Sequence, residues 1–170
     1  LDEQRRIAAI LDHADTLRTK RRQTLAHLDA LPQAFFRNLS ESATSTVALC
    51  EVAELFSGGT LPQGRAYEGQ ADGTLLMKVS DMNADGNEQA ISRTALWTDA
   101  PTPQASTVVT GAVVLPKRGA SIATNKKRLA TRPTALDPNL MGVQPDEKAI
   151  LPAYLYEWFR SFDLATLTSG

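Results

Sequence analysis

The first 35 residues of this 170-residue chain repeat apolar side chains every three or four positions, which restricts the segment to a helix. Read in heptads, one shared position holds Ile7, Ala14, Arg21, Leu28 and Phe35, and the other holds Ile10, Leu17, Thr24 and Leu31. A seven-residue repeat of this kind is typical of a helix that pairs with a second helix. We therefore predict a long coiled-coil-type helix over residues 1–40. Its predicted helix-pairing residues are Ile7, Ile10, Ala14, Leu17, Arg21, Leu28 and Leu31.

Two features of this segment complicate a regular coiled coil. Pro32 lacks a backbone donor and clashes with the carbonyl four residues earlier, so a kink or a restart is expected there. Arg21 and Thr24 place a polar layer in the middle of the apolar seam. This layer could fix the register of a partner helix, or its side chains could simply reach solvent.

The pattern changes after residues 41–46, which have no apolar periodicity and are predicted to be a linker. A short helix is expected over residues 47–55, followed by a turn at Ser57–Pro62. The final segment is predicted to be a helix with Pro152 in its first turn. Short strands rich in β-branched residues are predicted at 75–79, 107–115, 121–124 and 140–143. The expected fold is therefore α/β of the mixed α+β kind, with the long helix preceding a compact mixed-sheet domain over residues 47–170.

The positive charge of the chain is concentrated in one segment. The formal net charge is only −1, but residues 100–136 contain six basic side chains and no acidic one, whereas residues 41–99 contain three basic and nine acidic. Such a cluster is suited to a polyanion such as DNA. The alternative is that these cations balance nearby carboxylates such as Asp137 and Asp146. The candidate DNA-binding residues are Lys117, Arg118, Lys126, Lys127 and Arg128, with Arg132 and Lys78 as weaker candidates and the loop Gly58-Gly59-Thr60 beside them.

One motif has the spacing of a metal site. Residues 81–86, Asp-Met-Asn-Ala-Asp-Gly, match the first six positions of a calcium-binding EF-hand loop. The twelfth position, which should be a bidentate glutamate, is Ser92. The flanking residues also have strand patterns, so a β-hairpin turned by Asp85-Gly86 is the favoured alternative, and no metal site is predicted.

The remaining motifs do not form a catalytic site. Residues 145–148, Pro-Asp-Glu-Lys, would have to supply a whole nuclease set from one tetrapeptide, so an exposed loop is favoured there. Residues 137–140 contain the residues of an adenine-methyltransferase tetrapeptide in the wrong order and are predicted to be a turn. His13 and His27 lie too far apart along a helix to share a metal. The glycines at 58 and 59 lack the Gly-Lys-Ser/Thr ending of a phosphate-binding loop. We therefore predict no catalytic residue.

The single cysteine and the hydropathy pattern bear on location. Cys50 cannot form an intramolecular disulfide, which fits a reducing compartment, and we predict that it is buried. No apolar run is long enough to span a membrane and no signal peptide begins the chain, so a cytoplasmic location is expected. The chain begins without Met, and we expect it to be part of a longer protein.

Several short motifs, taken in order, resemble those of the specificity subunits of type I restriction-modification systems. The opening is similar to the spacer helix of that family: Leu1-Asp2-Glu3-Gln4-Arg5-Arg6-Ile7, then Ile10-Leu11-Asp12. The rest is similar to a target-recognition domain: Ser57-Gly58-Gly59-Thr60 with Pro62, Tyr67, Asp81, Gly111, Val113-Val114-Leu115, Lys117-Arg118-Gly119-Ala120-Ser121-Ile122, Asp137 with Asn139, Pro152 with Tyr154-Leu155-Tyr156, and Ser169-Gly170. Met77-Lys78 stands where the family usually has an aromatic residue before the aspartate.

The resemblance implies a non-catalytic chain that reads one half of a split target in double-stranded DNA. It implies that the spacer helix docks methyltransferase subunits, that restriction subunits complete the complex, and that the recognition domain is C-terminally incomplete here. S-adenosylmethionine, ATP and Mg²⁺ would belong to partner subunits, with no cofactor in this chain. Self-association through the long helix is a further expectation. The alternatives are the specificity segment of a single-chain restriction-methylation enzyme and an unrelated coiled-coil interaction module.

Overall fold

The computed structural model describes residues 1–168, so Ser169 and Gly170 of the motif series lie outside the described part. Two compact units divide the chain, the first over Leu1–Ala43 and the second beginning at Thr44. Three α-helices are present in the described residues: α1 at Asp2–Glu41, α2 at Leu49–Val52 and α3 at Pro152–Arg160. None of them is both long and apolar enough to cross a membrane.

Helix α1 is one continuous helix of 40 residues that includes Pro32 in its interior. The predicted long helix is confirmed, and of the two outcomes expected at Pro32, a kink or a restart, the restart does not occur. A proline inside a helix removes one hydrogen bond, at a cost of about 3 kcal/mol, and leaves the bonds of the other turns intact. Three ion pairs at i,i+3 spacing lie on its surface, and because both partners of each are exposed they add little stability.

Within residues 1–168, ten short strands form two five-stranded sheets. Sheet A has the order β1-β10-β7-β8-β4 and sheet B has the order β2-β5-β3-β9-β6. All neighbours are antiparallel except β4 with β8 and β3 with β9, which are parallel. The strands are β1 Ala53–Ser57, β2 Arg65–Ala66, β3 Thr74–Met77, β4 Ala90–Ile91, β5 Leu96–Thr98, β6 Thr107–Val108, β7 Val113–Pro116, β8 Arg128–Ala130, β9 Thr134–Leu136 and β10 Leu140–Pro145.

Strand β7 explains how the layers of the second unit pack. Successive side chains of a strand point to opposite faces, and all four residues of β7 are buried. Val114 packs in a core that also holds Leu75, Leu136 and other residues of sheet B. Val113 and Leu115 pack in a second core with Leu155 and Phe159 of α3. Sheet A is therefore the middle layer, covered by sheet B on one face and by α3 on the other, which is why β7 is apolar throughout.

Several local expectations differ from the structure. The predicted helix over residues 47–55 ends at Val52, because Ala53–Ser57 pairs with β10 as strand β1. The predicted strand 107–115 is divided by Gly111, whose φ of 90° turns the chain between β6 and β7. Residues 121–124 are part of a 3₁₀ helix, Gly119–Thr124, and not a strand. Strand β10 and helix α3 confirm the predictions at 140–143 and after Pro152.

Two further predictions are corrected. Cys50 is exposed and not buried, because α2 is only one turn long and leaves this side chain on its outer side. The hairpin expected at Asp85-Gly86 is absent from the described residues, because the flanking strand β4 pairs in parallel with β8 instead of with β3.

Candidate nucleic-acid interface

Asp137 joins the two sheets at the edge where the candidate residues lie. Its backbone N–H donates to Met77 O at 3.0 Å, and its carboxylate accepts the Val79 N–H at 3.4 Å and the Asn139 N–H at 2.7 Å. The carboxylate thus accepts backbone N–H groups of the 3₁₀ helix Val79–Asn83 and of the turn that leads to β10. It forms no ion pair within the described residues.

The glycine pair predicted at the DNA face packs against this turn. Gly58 N–H donates to Leu140 O at 3.0 Å and Gly59 N–H donates to Leu136 O at 2.9 Å. A Cβ on Gly58 would lie 1.9 Å from the carbonyl oxygen of Asp137, so this position requires glycine for close backbone contact. Both N–H groups are therefore engaged inside the domain, and Thr60 is the exposed residue of the predicted loop.

Lys117 and Arg118 follow β7 and lie beside the same turn. The Lys117 N–H donates to Asn139 O at 2.8 Å, and its Nζ donates to Ser57 Oγ at 2.5 Å. Arg118 is exposed, and its guanidinium has no hydrogen bond or ion pair within the described residues. The strand end thus presents one lysine held on a serine and one arginine that is free to contact a ligand.

Lys78 and Lys126 extend this surface along two 3₁₀ helices. Lys78 immediately precedes the 3₁₀ helix Val79–Asn83, and its side chain is exposed. Lys126 follows the 3₁₀ helix Gly119–Thr124, and its Nζ donates to Asn83 Oδ1 at the end of the other one. Hydrogen bonds therefore connect both 3₁₀ helices and the Asp137 turn into one surface. We call its four accessible cations, Lys78, Lys117, Arg118 and Lys126, the cationic face.

None of the four cations of this face forms an ion pair within the described residues. The alternative that the basic segment balances Asp137 or Asp146 receives no support from the contacts. Asp137 accepts backbone N–H groups, and the Asp146 carboxylate accepts the Lys148 N–H at 3.0 Å. A group of unpaired, accessible cations is the charge arrangement that DNA phosphates require.

Lys127, Arg128 and Arg132, which the sequence also predicted as DNA-binding residues, are not part of this face. Lys127 is 5% exposed, and its Nζ donates to Asn125 Oδ1 and to Phe162 O. Arg128 is 9% exposed and donates to Lys127 O and Met82 O. Arg132 is half-buried and donates to two backbone carbonyls of residues 70 and 73. These cations tie loops together from inside the domain.

Burial changes the acid–base behaviour of two of these cations. Desolvation lowers the pKa of Lys127, and a weaker attraction to Asp163 opposes the effect. Desolvation also lowers the pKa of Arg128, with opposing attractions to Tyr156 and Glu88. Both side chains are hydrogen-bonded only to uncharged oxygen atoms in the described residues.

The loop with EF-hand spacing uses its ligand atoms for the fold. The buried Asp81 carboxylate accepts the Lys78 N–H at 2.7 Å and the Ala95 N–H at 2.9 Å. Asn87, where a seventh-position ligand would fall, is fully buried and holds the backbone of residues 81, 92 and 93. Within residues 1–168 no group of three or more histidine, cysteine or acidic side chains could hold a metal ion.

The predicted helix-pairing residues lie along one stripe of α1. Ile7 is 50% exposed, Leu17 is 53% exposed and Leu31 is 58% exposed, while Ala14 is half-buried and Arg21 is exposed. Ile10 and Leu28 are exposed to a similar degree. Burial of an aliphatic side chain is worth about 1.5–3 kcal/mol, so this stripe offers a large gain to a partner helix.

Three residues of the interface were not predicted. Ser57, Asn83 and Asn139 accept hydrogen bonds from the side chain or backbone of the predicted lysines. In the sequence, Ser57 and Asn139 are part of the motifs that carry the family resemblance and Asn83 is part of the loop with EF-hand spacing. None of these patterns indicates a contact with a lysine, because serine and asparagine are common in turns for reasons unrelated to ligand binding. Their role depends on sheet pairing that joins residues 57, 83, 117 and 139, which no local pattern encodes.

Comparison with known proteins found similarity at the level of structure alone. No protein-family model matches the sequence, and no curated protein matches it. Two solved structures match nearly the whole chain. One, described as the HsdS subunit from Thermoanaerobacter tengcongensis, has a TM-score of 0.56 and 18% identity, covering 100% of this chain and 43% of that one. The other comes from work on the complex assembly and conformational transition of the type I R-M system. It has a TM-score of 0.56 and 16% identity, covering 98% of this chain and 42% of its own.

The chain thus spans less than half the length of the structures that it matches. Each match includes the long helix together with the two-sheet domain, because nearly every residue of the chain is covered. The expected α+β fold class and the expected resemblance are confirmed at the level of the fold. This chain has the fold of a specificity subunit of a type I restriction-modification system.

Proposed function

We propose that this chain is part of the DNA-recognition subunit of a type I restriction-modification complex and that its second unit reads one half of a split target in double-stranded DNA. The observation that carries the proposal is the cationic face, Lys78, Lys117, Arg118 and Lys126, on a domain with the fold of such a subunit. Phosphate contacts would supply most of the affinity, and side chains that reach base edges would supply the sequence preference.

Arg118 is the candidate within this face for reading a base. Its guanidinium is exposed and unpaired in the described residues, and a guanidinium can pair with two acceptors on the major-groove edge of guanine. Lys78, Lys117 and Lys126 are suited to phosphates, because an ammonium group is a point charge without a fixed fork of donors. The four cations would thus divide into three that position the DNA and one that discriminates.

Helix α1 would dock the methyltransferase subunits through its exposed stripe. Methylation and cleavage would then occur in partner subunits, which would hold S-adenosylmethionine, ATP and Mg²⁺, and restriction subunits would complete the complex in the cytoplasm. This chain would contribute position and sequence choice and no catalytic group. Its accessible apolar stripe and its unpaired cationic face, which belong to separate units of the chain, support this division of roles.

The test is DNA binding and target methylation by the complete subunit assembled with its methyltransferase. Changing Lys78, Lys117 and Lys126 together to Glu should abolish duplex binding at moderate salt, because each change replaces an attraction to phosphate by a repulsion. The matched control is Lys148→Glu. Lys148 is exposed and follows β10 after its last residue, Pro145, whereas the cationic face lies beside the first residue of β10, Leu140. A strand of this length separates its two ends by about 17–20 Å. Unchanged DNA binding and methylation in the triple variant would contradict the proposal that the cationic face binds DNA.

A second arm separates base reading from phosphate binding. Arg118→Ala should relax the preference at one base pair, with a loss of about 1–3 kcal/mol of discrimination, while total affinity for unrelated duplexes changes little. Lys117→Ala should weaken binding to all sequences alike. Sequencing of methylated sites in cells carrying each variant measures both effects, and an Arg118→Ala protein with an unaltered site preference would remove Arg118 from this role.

A further inference from the structure

A second basic cluster lies inside the domain and forms the wall of a small pocket. Lys127, Arg128 and Arg160 line a cavity of about 180 Å³ together with Tyr156, Asn125, Glu88 and Gln89. This space has room for a phosphate or sulfate ion together with a few water molecules.

The hydrogen-bond donors of this pocket exceed the acceptors that the domain provides. The Arg128 side chain is more than nine-tenths buried, and its Nε has no hydrogen-bond partner. The Tyr156 hydroxyl has no hydrogen-bond partner in the described residues, and Lys127 uses two of its three donors. Buried polar groups are nearly always satisfied, so the buried and unpartnered Arg128 Nε at this cavity, beside further donors of Tyr156 and Lys127, indicates an acceptor that normally occupies it.

The charges around the pocket favour an anion as that acceptor. Buried cations are normally paired with a carboxylate, yet neither Lys127 nor Arg128 forms an ion pair within the described residues. Arg160 does bind Glu157, at 2.9 Å and 3.2 Å, and its guanidinium lies over the Tyr156 ring. That pair neutralises one of the three cations and leaves two cations without a contacting anion.

Glu88 is the one carboxylate that lines the pocket. It is exposed, and its side chain accepts the Gly86 N–H at 3.1 Å on the outside of the loop. Hydrogen bonds from its own N–H and from Gly86 hold the pKa of this carboxyl below its ordinary value, so it is ionised at neutral pH. It therefore offsets part of the positive field without contacting Lys127 or Arg128.

We propose that this pocket binds a tetrahedral oxyanion, either free phosphate or a phosphate group of a nucleic acid, with Lys127, Arg128, Arg160 and the Tyr156 hydroxyl as its donors. The site is separate from the cationic face: Lys126 contacts Asn83 on that face, whereas the next residue, Lys127, contacts Phe162 and Asn125. The proposal does not depend on the DNA-recognition role, because its probe is inorganic phosphate.

The test is phosphate binding by the purified chain, followed by calorimetry and by the ³¹P NMR signal, with chloride at equal ionic strength as the reference. Phosphate should bind saturably, and Arg160→Gln should weaken it about tenfold, as expected for the loss of a charged hydrogen bond. The control Lys148→Gln removes the same charge at an exposed residue that does not line the pocket and should leave binding unchanged. No saturable binding, or equal loss in both variants, would overturn the proposal.

Two further variants protect the test against misfolding. Tyr156→Phe removes one hydroxyl and no charge, and should weaken phosphate binding several-fold while the circular dichroism spectrum stays the same. Glu88→Gln removes the repelling carboxylate and should strengthen binding about two- to threefold, a gain that damaged folding cannot produce. Unchanged affinity in both variants would show that phosphate binds elsewhere.

A last arm identifies the source of the anion. Duplex DNA is titrated into the phosphate-loaded complete subunit while the ³¹P signal of free phosphate is followed. If DNA releases bound phosphate from the wild-type subunit but not from the Arg160→Gln variant, the anion that normally occupies the pocket is a phosphate group of DNA. Retention of phosphate in the DNA-bound protein would assign it to a free anion. Both results are consistent with an oxyanion site in the pocket. The variants Arg160→Gln, Tyr156→Phe and Glu88→Gln test whether that site exists.

Discussion

At the scale of single residues, the adjacent glycines Gly58 and Gly59 differ in how closely other atoms pack against them. A Cβ on Gly58 would lie 1.9 Å from Asp137 O and 2.8 Å from Leu140 O, whereas a Cβ on Gly59 would meet only the Ser106 side chain at 3.4 Å. Backbone atoms cannot move aside as the end of a flexible side chain can, so the first clash forces β1 away from the Asp137 turn.

We predict that Gly58→Ala lowers the free energy of unfolding by at least about 1–3 kcal/mol. Gly59→Ala should change it by less than about 1 kcal/mol, since ordinary van der Waals contact offsets little of the lower entropy of the unfolded chain. Urea denaturation of both variants measures the difference. Equal stability of the two proteins would contradict the close packing of Gly58 against the turn.

Lys127 gives a pH dependence whose sign follows from burial. Its pKa is lowered in the folded protein, so the unfolded chain holds this proton at a pH where the folded chain has lost it. The free energy of unfolding therefore rises with pH in the window between the lowered pKa and the ordinary value of about 10.4. Tyr156 acts in the opposite direction at higher pH, because burial raises its pKa.

The measurement is the difference in unfolding free energy between the wild type and Lys127→Met from about pH 8 to about pH 10, in a buffer without phosphate. Taking the difference cancels Tyr156, which both proteins contain. The wild type should gain stability relative to the variant as pH rises. A difference that stays flat or falls over this range would show that Lys127 is solvated in the folded protein.

The sequence predicted which segment, residues 100–136, holds a cluster of positive charge, but not which of its cations are accessible to solvent. Lys126 and Lys127 are adjacent and chemically the same, yet one lies on the cationic face and the other is 5% exposed beneath Phe162. The left-handed backbone of Asn125, with a φ of 53°, and the packing of the chain after α3 decide between them. Contacts between residues 125 and 162–164 are tertiary, so no local pattern could separate the two lysines.

At the scale of elements, α1 offers the clearest experiment. Leu17 lies on the apolar stripe and is 53% exposed, so Leu17→Asp should leave the second unit folded while weakening assembly with the methyltransferase or with a second helix by at least about 2 kcal/mol. Ala26→Asp is the control, since Ala26 is exposed and falls on the opposite heptad face. Affinity measured by calorimetry should fall only for the first. Equal effects, or none, would argue against pairing through this stripe.

Periodicity predicted helix α1 and the strand at 140–143, but it failed for residues 121–124. The helix at 2–41 and the buried strand at 140–145 have repeats long enough to identify their type. Residues 121–124 contain β-branched side chains, but Ser121 Oγ donates to Arg118 O and Thr124 Oγ1 donates to Ser121 O. Hydroxyl groups that bind nearby carbonyls favour a tight turn over a strand, and this local competition outweighs β propensity.

At the scale of the whole molecule, the net charge of −1 conceals a domain with one cationic side. If Lys78, Lys117 and Lys126 each neutralise one phosphate, the slope of log affinity against log salt concentration should fall by about 0.9 for each one removed. The triple change to Gln should therefore flatten the slope by about 2.7, and Lys148→Gln should not alter it. Fluorescence anisotropy of the complete subunit over a salt series measures this, and an unchanged slope would exclude phosphate contacts at these lysines.

The three-layer arrangement could not be read from the sequence. Parallel pairing of β3 with β9 joins Leu75 to Thr134, and β1 with β10 joins Ala53 to Pro145. Alternating apolar residues identify a strand but not its neighbour, since many registers bury the same faces. The class of fold was therefore predictable from composition and order, and the sheet order was not.

The position of β10 has a consequence for the synthesis of the protein. This strand lies between β1 and β7 in sheet A, and the turn before it holds Asp137 and Asn139 against β3 and Lys117, so sheet A and the contact of Asn139 with Lys117 are incomplete until the strand forms. A nascent chain must keep β1 unpaired while more than 80 further residues are made, which leaves its backbone donors and acceptors without a partner strand for several seconds at elongation rates of about 5–20 residues per second. A ribosome that stalls before residue 140 would release a product that lacks β10 and is prone to aggregate through this unpaired strand.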